Sequence, residues 1–456
     1  MKHICFLVGF LICSILLLVS CSRQAVLAQG WSAPNKVTDS KDSLAGGVIP
    51  YKWHGSIIVL QGLGDKSAKC FLMSSDAGSW TEVQMTGVPR GYFWVYPAID
   101  QSSDRVFFDQ GYMENDQLVM NVLVGRMTGR IAVQEVVEKK WITDKTTLFG
   151  ETSPGVRLND PGTRDYPGLG LGLIDGRDLY VPYALSGKTL RGNPVAEYGE
   201  PFSNGAFHSI DSGTTWQLER ISDFAAWLPS ICKTKAYCYY LAVKNYQRDL
   251  WFSRKPAEVG SWASPEVVTK TFCNSALSWK YIATAENDTV HVCWLDRRHE
   301  KTRPYAVDPS GRHNCGNYEV AYCHRKDSDA GWSKDSILSA GLLYSFAPVM
   351  SVEGDKVVVA WAGVPDDKDG HDEFWPNDIY YVTSKDGGKT WTTPLRLTDN
   401  IKAGITAGRP QVALLNGIIH LFYSQGKISY REESHGLVKL NQPPWPIYYR
   451  QRPFPD

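Results

Sequence analysis

The chain has no excess of either charge and no metal-ligand spacing. Its 456 residues include 48 Lys or Arg and 48 Asp or Glu, so it lacks the basic excess that nucleic-acid binding needs. No two cysteines have CxxC spacing, and the ten histidines form neither HExxH nor HxxEH, which disfavours a zinc hydrolase. The single glycine-rich run, Gly168 to Gly172, is typical of a strand here and not of a phosphate loop.

A long uncharged apolar run occurs at the start of the chain, from Ile4 to Val19, after Lys2. It is too short for a comfortable membrane span and has the layout of a signal peptide. Residues 18–21 resemble a bacterial lipobox ending at Cys21, which predicts lipidation there and a lipid anchor as the membrane contact. The protein is then exported to the cell envelope, at the outer membrane if the cell is Gram-negative. The alternative is cleavage after Ala28, which would release a secreted protein.

Cysteine is sparse in the part of the chain that would be exported. Seven cysteines follow Cys21, an odd number that leaves at least one free thiol without an intermolecular bond. Cys232 and Cys238 flank a short turn, and Cys293 and Cys323 lie on consecutive predicted strands. Each pair is open to two interpretations, a disulfide or two small buried apolar residues.

Aromatic residues and glycine are plentiful, with 16 Trp, 23 Tyr and 40 Gly. Aromatic side chains favour pleated strands and glycine favours tight turns, so the composition predicts an all-β protein with many hairpins.

The chain repeats a unit of about 45–70 residues, a spacing typical of propeller blades. Each unit begins with a short opening that usually contains proline, followed by a turn and a strongly apolar strand. Seven openings and seven such strands predict a seven-bladed β-propeller. The strands are Ser56–Gln61, Arg105–Gln110, Asp178–Ala184, Ala236–Val243, Val290–Leu295, Lys356–Trp361 and Ile418–Tyr423.

Several units end in a turn that combines Ser, Asp, Gly and Trp. The Asp carboxylate is expected to accept backbone N–H groups of its own turn, the Gly to adopt a conformation closed to other residues, and the Trp to fold over the hairpin. These roles are structural and not catalytic. The Asp and Trp pairs are Asp76 with Trp80, Asp211 with Trp216, and Asp386 with Trp391.

The domain boundaries follow from the signal and the repeat. Residues 1–21 are the signal ending at Cys21, 22–30 a linker, 31–440 one propeller domain and 441–456 a proline-rich tail. The segment Trp31–Val37 reads like the outer strand of a blade, and we expect it to complete the last blade and so hide an edge strand. We expect a monomer.

The Ser-x-Asp-x-Gly-x-x-Trp turn resembles the Asp-box of sialidases and other BNR-repeat propellers. Residues 167–177 resemble the glycine-rich strand and Asp-Gly-Arg turn of bacterial sialidases, and Trp294–Arg298 is similar to a strand end common in BNR proteins. The resemblance covers residues 44–431 and implies a glycan-acting propeller, with six blades as the alternative count. It also implies an Arg cluster for a substrate carboxylate, a Tyr nucleophile with a Glu partner, and an acid/base Asp.

The sequence departs from this catalytic pattern at two places. Val48-Ile49-Pro50 has no Arg in the first opening, and 224–229 contains no Glu. The candidates that remain are Arg409 for the Arg cluster, Tyr183 (with Tyr423 equally placed) for the nucleophile, and Asp65 for the acid/base. Whether the chain is an enzyme stays open: a glycosidase or polysaccharide lyase on one side, a non-catalytic carbohydrate- or protein-binding propeller on the other.

Aromatic and basic residues beside the openings are candidates for binding a glycan at the central mouth, with packing between blades as the alternative. These ligand-binding candidates are Tyr51, Tyr96, Tyr166, Trp227, Trp279 and Arg298. The acidic segment Asp366–Glu373 could hold Ca²⁺ or form a solvated loop, and no other cofactor or metal is indicated.

Overall fold

Seven sheets of four or five strands, paired almost entirely antiparallel, follow one another along the chain in the computed structural model of the protein, and every described element is a β-strand. The structure describes residues 30–38, 48–62, 68–73, 79–86, 98–100, 104–114, 117–127, 131–140, 168–169, 172–184, 204–222, 226–244, 249–272, 281–299, 318–365, 377–400, 405–427, 430–433, 436–439 and 446–455.

The strands group into blades numbered in chain order, and β1 (Asn35–Thr38) precedes the first of them. Blade 1 contains β2 (Val48–Trp53), β3 (Ser56–Gly62), β4 (Ala68–Met73) and β5 (Trp80–Val83). Next along the chain is β6 (Met85–Thr86), which pairs with the outer strand of blade 2. Blade 2 contains β7 (Ala98–Asp100), β8 (Arg105–Glu114), β9 (Gln117–Met127) and β10 (Ile131–Lys140). Blade 3 contains β11 (Gly168–Leu169), β12 (Leu173–Asp175), β13 (Asp178–Ala184), β14 (Asn204–Ser209) and β15 (Gln217–Ser222).

The remaining four blades follow the same order from inner to outer strand. Blade 4 contains β16 (Ala226–Lys233), β17 (Tyr237–Lys244), β18 (Asp249–Pro256) and β19 (Glu266–Thr269). Blade 5 contains β20 (Ile282–Glu286), β21 (Thr289–Asp296), β22 (Glu319–Lys326) and β23 (Ser336–Ile337). Blade 6 contains β24 (Leu342–Glu353), β25 (Lys356–Pro365), β26 (Asp378–Ser384) and β27 (Leu395–Arg396). Blade 7 begins with β28 (Ile405–Leu415) and β29 (Ile418–Lys427); β30 (Tyr430–Glu433) and β31 (Gly436–Lys439) pair with each other, and β32 (Ile447–Pro453) returns to blade 7.

The inner strands stand next to one another in a ring, and blade 7 contacts blade 1. Buried apolar clusters fill the seams, for example Ile57, Val59 and Phe71 of blade 1 against Ala413 and Phe422 of blade 7. The prediction of a seven-bladed β-propeller is therefore confirmed, and the six-bladed alternative is wrong.

Strands from both ends of the chain close the ring. The order in blade 7 is β28, β29, β32 and β1, so the start of the chain supplies the outer strand as expected. The third strand differs from the expectation, because Ile447–Pro453 lies in the segment that the sequence assigned to a proline-rich tail beyond residue 440. The prolines at 443, 444 and 446 come before this strand in the sequence, and they do not exclude a strand after them.

Each propeller face carries one set of connections. Inner strands begin at one face, which we call the mouth face, and second strands return to it. The hairpins between first and second strands, and the turns between third and fourth strands, lie at the opposite face, which we call the turn face. The Asp-containing turns therefore belong to the face opposite the mouth.

Two of these Asp turns have the expected hydrogen bonds. Asp386 accepts the N–H of Thr390 at 2.9 Å and its hydroxyl at 2.6 Å, and Gly388 N donates to the Ser384 hydroxyl at 2.8 Å. Asp211 bonds Thr215 in the same way, at 2.7 Å to N and 2.6 Å to Oγ1. Asp76 lies outside the described residues.

Two Trp residues that end these Asp-type turns pack against the preceding blade, and not only over their own hairpins. Trp391 meets Tyr322 of blade 5 with ring centroids 4.8 Å apart, and Trp80 lies 5.2 Å from Tyr449 of blade 7. Trp31, which precedes the outer strand of blade 7, likewise lies 5.2 Å from Tyr381 of blade 6. Each of these rings therefore joins its blade to the preceding one.

The five cysteines that the structure describes are buried and unpaired. Cys232 faces Tyr239, and Cys293 faces Tyr322, in their antiparallel ladders. The packing interpretation therefore holds for both candidate pairs, while Cys273 and Cys315 lie outside the described residues.

Candidate functional site

The inner strands of three blades share one irregularity near the mouth face. In blades 4, 6 and 7 the register with the second strand slips by one residue, between Trp227 and Ser230, Phe346 and Val349, and Gly408 and Gln411. Each slip is a β-bulge, in which two residues of the inner strand stand opposite one of its partner.

The same two residue types occupy each bulge: a residue with positive φ, then proline. The positive-φ residues are Leu228 at φ 50°, Ala347 at φ 51° and Arg409 at φ 50°. A side chain at positive φ is strained, and a following proline disfavours helical backbone, so these positions carry a conformational cost of about 1–3 kcal/mol each. Strain of this kind occurs preferentially where a backbone holds a functional group.

Arg409 is the charged member of this set. Its side chain is exposed, yet protein atoms around it desolvate the guanidinium and lower its pKa. Both observations fit a side chain that lies inside a solvent-accessible opening. Among the described residues no carboxylate pairs with Arg409.

Hydrogen bonds hold the backbone immediately before Arg409. The Ser424 hydroxyl donates to the Gly408 carbonyl at 3.0 Å, and Ala407 N donates to the Asn377 carbonyl of blade 6 at 2.8 Å. Asn377 N in turn donates to the Thr406 hydroxyl at 3.0 Å. The bulge is therefore attached to two blades, which limits the movement of the Arg409 backbone.

The two tyrosines considered as nucleophiles are buried. Tyr183 is fully enclosed, with its ring 5.1 Å from Phe207 and its carbonyl accepting the hydroxyl of Tyr240. Tyr423 lies opposite the bulge on β29, but burial raises its pKa to about 12 despite the lowering effect of Arg450. The structure therefore does not bring Tyr183 to an open mouth, because its ring fills the interior of blade 3, and Tyr423 is a protonated core residue.

Arg298 is occupied by ion pairs within its own blade. It donates to Asp296 through Nε at 2.8 Å and through Nη2 at 2.7 Å, and it also contacts Asp335. Asp296 is fully buried; burial raises its pKa, but hydrogen bonds from Arg298 and Thr271 outweigh that effect and lower it. Arg298 therefore holds a buried carboxylate, a role that the sequence of the strand end Trp294–Arg298 allowed but did not distinguish from ligand binding.

The structure describes two of the remaining candidates from the sequence, and the others lie outside the described residues. Tyr51 is half-buried against an apolar cluster that includes Ile58 of blade 1 and Val106 of blade 2, in the seam between these blades, which is the packing interpretation. Trp227 lies on the inner strand of blade 4, at the start of its bulge. Outside the described residues lie Asp65, Tyr96, Tyr166, Trp279 and the acidic segment Asp366–Glu373. Within the part that the structure describes, no three His, Cys, Asp or Glu side chains form a metal-binding group.

Sequence reasoning missed a lysine at the turn-face end of the inner strands. Lys52 of blade 1 donates to the Val352 carbonyl of blade 6 at 2.8 Å, on the far side of blade 7. Burial lowers the pKa of Lys52, and the nearby Glu286 and Glu353 carboxylates oppose that shift. A single Lys in a strand gives no signal of which blade it will reach, because ring closure is a long-range feature.

Comparison with known proteins gives structural neighbours only, since no family model and no curated protein sequence matches the chain. The polysaccharide lyase Uly1 is 8% identical with a TM-score of 0.49, covering 93% of this chain and all of that one. An ulvan lyase bound to -[GlcA(1-4)Rha3S]- is 10% identical with a TM-score of 0.46, covering 88% and 92%. A Trypanosoma rangeli sialidase in complex with sialic acid is 10% identical with a TM-score of 0.42; the match covers 93% of this chain and 59% of the sialidase. The seven-bladed arrangement of this chain stands on its own strand pairing.

Proposed function

We propose that this propeller recognises and acts on anionic glycans at its mouth face, with Arg409 as the donor to a sugar carboxylate or sulfate. The observation that supports this most is the Arg409 guanidinium, which is exposed, desolvated and held on a bulge without a described carboxylate partner. A planar guanidinium binds carboxylate and sulfate groups through two parallel hydrogen bonds.

Sugars are favoured over other anions by what the sequence places near the same openings. In the sequence, Tyr96, Tyr166 and Trp279 come shortly before inner strands, and aromatic faces suit the apolar surfaces of sugar rings. The equivalent bulge positions of blades 6 and 4 carry a small and an apolar residue, Ala347 and Leu228. An anionic sugar offers both a charge for Arg409 and C–H surfaces for aromatic side chains.

Binding measurements on charged and neutral glycans test this proposal. Calorimetry with sialylated, uronic-acid and sulfated oligosaccharides is expected to show binding that neutral oligosaccharides lack. Arg409→Gln should weaken that binding by roughly tenfold to a hundredfold, because a charge-assisted bidentate contact contributes about 1.5–3 kcal/mol. Lys427→Gln, which removes an exposed charge at the same face, is the matched control and should leave binding unchanged.

Chemistry is tested on the same glycans by product analysis. Reducing-end release indicates hydrolysis, and an unsaturated product absorbing in the near ultraviolet indicates a lyase. Equal binding by the native chain and Arg409→Gln would contradict the role of Arg409. No binding to any anionic glycan would contradict the function itself.

We propose, as a separate matter, that the chain is exported and lipidated at Cys21. The lipobox-like residues 18–21 support this. No helix among the described residues is long and apolar enough to cross a membrane. Metabolic labelling with an alkyne fatty acid should mark the native chain and not Cys21→Ala, and the native chain should sediment with membranes. An unlabelled mature protein beginning after Ala28 would contradict lipidation.

A further inference from the structure

We infer that the turn face of the propeller docks on a lipid surface and that the mouth face points away from it. This inference rests on the proposed lipidation at Cys21 and adds an orientation and a contact surface to it. We define the docking surface by the two exposed apolar residues Ile210 and Val259, together with the turn-face position of Gly30, the first residue that the structure describes.

The first residues that the structure describes, Gly30 to Ser32, lie at the turn face. Ser32 N donates to the Gln451 carbonyl at 2.9 Å, near the turn-face end of β32. Trp31 Nε1 donates to the Tyr381 hydroxyl at 3.1 Å, and Arg452 donates to that same hydroxyl at 2.8 Å. These contacts between blades 6 and 7 hold the chain in place one residue after Gly30.

We call the segment between Cys21 and Gly30 the tether. Its length limits which face of the propeller can lie on the membrane. Nine residue steps separate Cys21 from Gly30, so a fully extended tether reaches at most about 32 Å. A blade strand of seven or eight residues is itself about 25 Å long. A mouth-down orientation would use most of the tether along the side of the propeller, whereas the turn face can meet the lipid directly.

Two large apolar side chains project from the turn face on the opposite side of the ring. Ile210 is 63% exposed in the turn after β14, and Val259 is 88% exposed in the turn after β18. Among the described residues these are the exposed large hydrophobic side chains. Both turns lie on neighbouring blades, 3 and 4, and both lie at the turn face.

Hydrogen bonds hold the two apolar turns to their blades. The carboxylate of Asp211, directly after Ile210, accepts two bonds from Thr215. Trp262, three residues after Val259, donates through Nε1 to Glu219 of blade 3 at 2.8 Å. Each apolar side chain therefore projects from a restrained turn.

The tether and the apolar pair together define a plane. An acyl chain near blades 6 and 7 holds one side of the ring at the bilayer, and burial of Ile210 and Val259 in the acyl boundary holds the side formed by blades 3 and 4. Single lipid anchors need a second contact for stable attachment, and this pair supplies one. A glycan site at the mouth face would then be presented to the surroundings and not to the lipid.

Depth-dependent quenching tests the orientation with the acylated full-length chain. Val259→Cys and Lys427→Cys are each labelled with bimane and bound to vesicles of phosphatidylethanolamine and phosphatidylglycerol containing brominated phosphatidylcholine. Lys427 is exposed at the mouth face, and the described native cysteines are buried, so the labelled native chain gives the background. Quenching at position 259 should exceed that at 427 by roughly twofold or more, because bromine quenches only at acyl depth.

A second variant tests the apolar pair itself. A label at Glu258→Cys should lose its quenching when Ile210→Asp and Val259→Asp are introduced, while thermal stability stays unchanged because both side chains are exposed. Equal quenching at 259 and 427, or stronger quenching at 427, would overturn the orientation. Protection of position 259 without vesicles, by a second copy of the chain, would also overturn it. A chain that does not sediment with the vesicles instead refutes lipidation at Cys21, so the two failures are distinguishable.

Discussion

Any side chain at position 388, which is glycine, would be disfavoured for two separate reasons. Its φ is +88°, and an added Cβ would lie 2.0 Å from the hydroxyl oxygen of Tyr322, a ring that is itself buried against Trp391. Gly354, in the same blade, has φ +59° and open space around its Cβ position. The two glycines therefore separate backbone strain from steric overlap.

We expect Gly388→Ala to destabilise the protein more than Gly354→Ala. Backbone strain alone costs about 1–2 kcal/mol at either position, and overlap with Tyr322 adds about 1–3 kcal/mol at 388. Urea denaturation of both variants measures the difference in the free energy of unfolding. Equal losses would mean that Tyr322 moves aside freely, contrary to its burial.

A buried ion pair between blades 3 and 4 gives a pH dependence of stability. Burial raises the pKa of Glu219, but hydrogen bonds from His208, Lys255 and Trp262 outweigh it and lower the pKa from 4.5 to about 2. Because the folded state lowers this pKa, the ionised carboxylate stabilises the protein above about pH 4.5, and that contribution is lost as the pH falls towards 2.

We expect Glu219→Gln to flatten the dependence of the melting temperature on pH between 4.5 and 2. Lys255 is only 6% exposed, so at neutral pH the variant should also be less stable, because a buried charge loses its partner. Glu82→Gln is the matched control, since the Glu82 and Lys69 pair is 3.7 Å apart and partly exposed. A variant that keeps the native slope would rule out Glu219 as its source.

The bulges of the inner strands are the elements in which strain and site coincide. Ala347 has φ 51° in a bulge like that of Arg409, but it carries no group for ligand binding. We expect Ala347→Gly to leave stability unchanged or raise it by up to about 1 kcal/mol, because relief of the positive φ offsets the greater freedom of glycine in the unfolded chain. Ala283→Gly, on the unbulged inner strand of blade 5, should destabilise. Thermal denaturation of the two variants measures both changes in stability. A loss of stability for Ala347→Gly equal to that for Ala283→Gly would contradict backbone strain at Ala347.

The elements were predicted from sequence to the extent that their signals are local. Strongly apolar runs preceded by turn residues predicted all seven second strands within two residues at their starts, for example Lys356–Trp361 within Lys356–Pro365. The proline of the openings was recognised, but the positive φ before Pro229, Pro348 and Pro410 was not. Propensity disfavours that conformation, and only the neighbouring strands impose it.

The candidate site was predicted less completely, because side-chain partners are long-range features. Arg409 was named from its place in an opening, and its position on a bulge without a described carboxylate supports its selection. Arg298 and Tyr183 carried equally suitable chemistry in the sequence, but Asp296 occupies the first and the core encloses the second. Burial and partner choice depend on neighbouring strands that sequence spacing does not specify.

At the scale of the whole molecule, closure depends on both chain ends. β1 pairs only with β32 among the described strands, and Tyr449 of β32 contacts Trp80 of blade 1 and donates to Gln451 at 2.7 Å. The sequence predicted the amino-terminal half of this arrangement, because Trp31–Val37 repeats the pattern of an outer strand. It missed the carboxy-terminal half, because a proline-rich approach hid a strand of seven residues.

We expect a chain ending at residue 445 to lose ring closure. Without β32, β1 has no partner, the edge of β29 is exposed, and the Trp80 and Phe422 rings lose the cover of Tyr449. Loss of one buried aromatic residue costs about 3–5 kcal/mol, and loss of the strand costs more, so the melting temperature should fall by on the order of 10 °C or cooperative unfolding should disappear. A synthetic peptide of residues 446–456 added in trans should restore part of the stability by refilling the gap between β29 and β1, whereas a scrambled peptide should not. An unchanged melting temperature after truncation would show that blade 7 closes without its third strand.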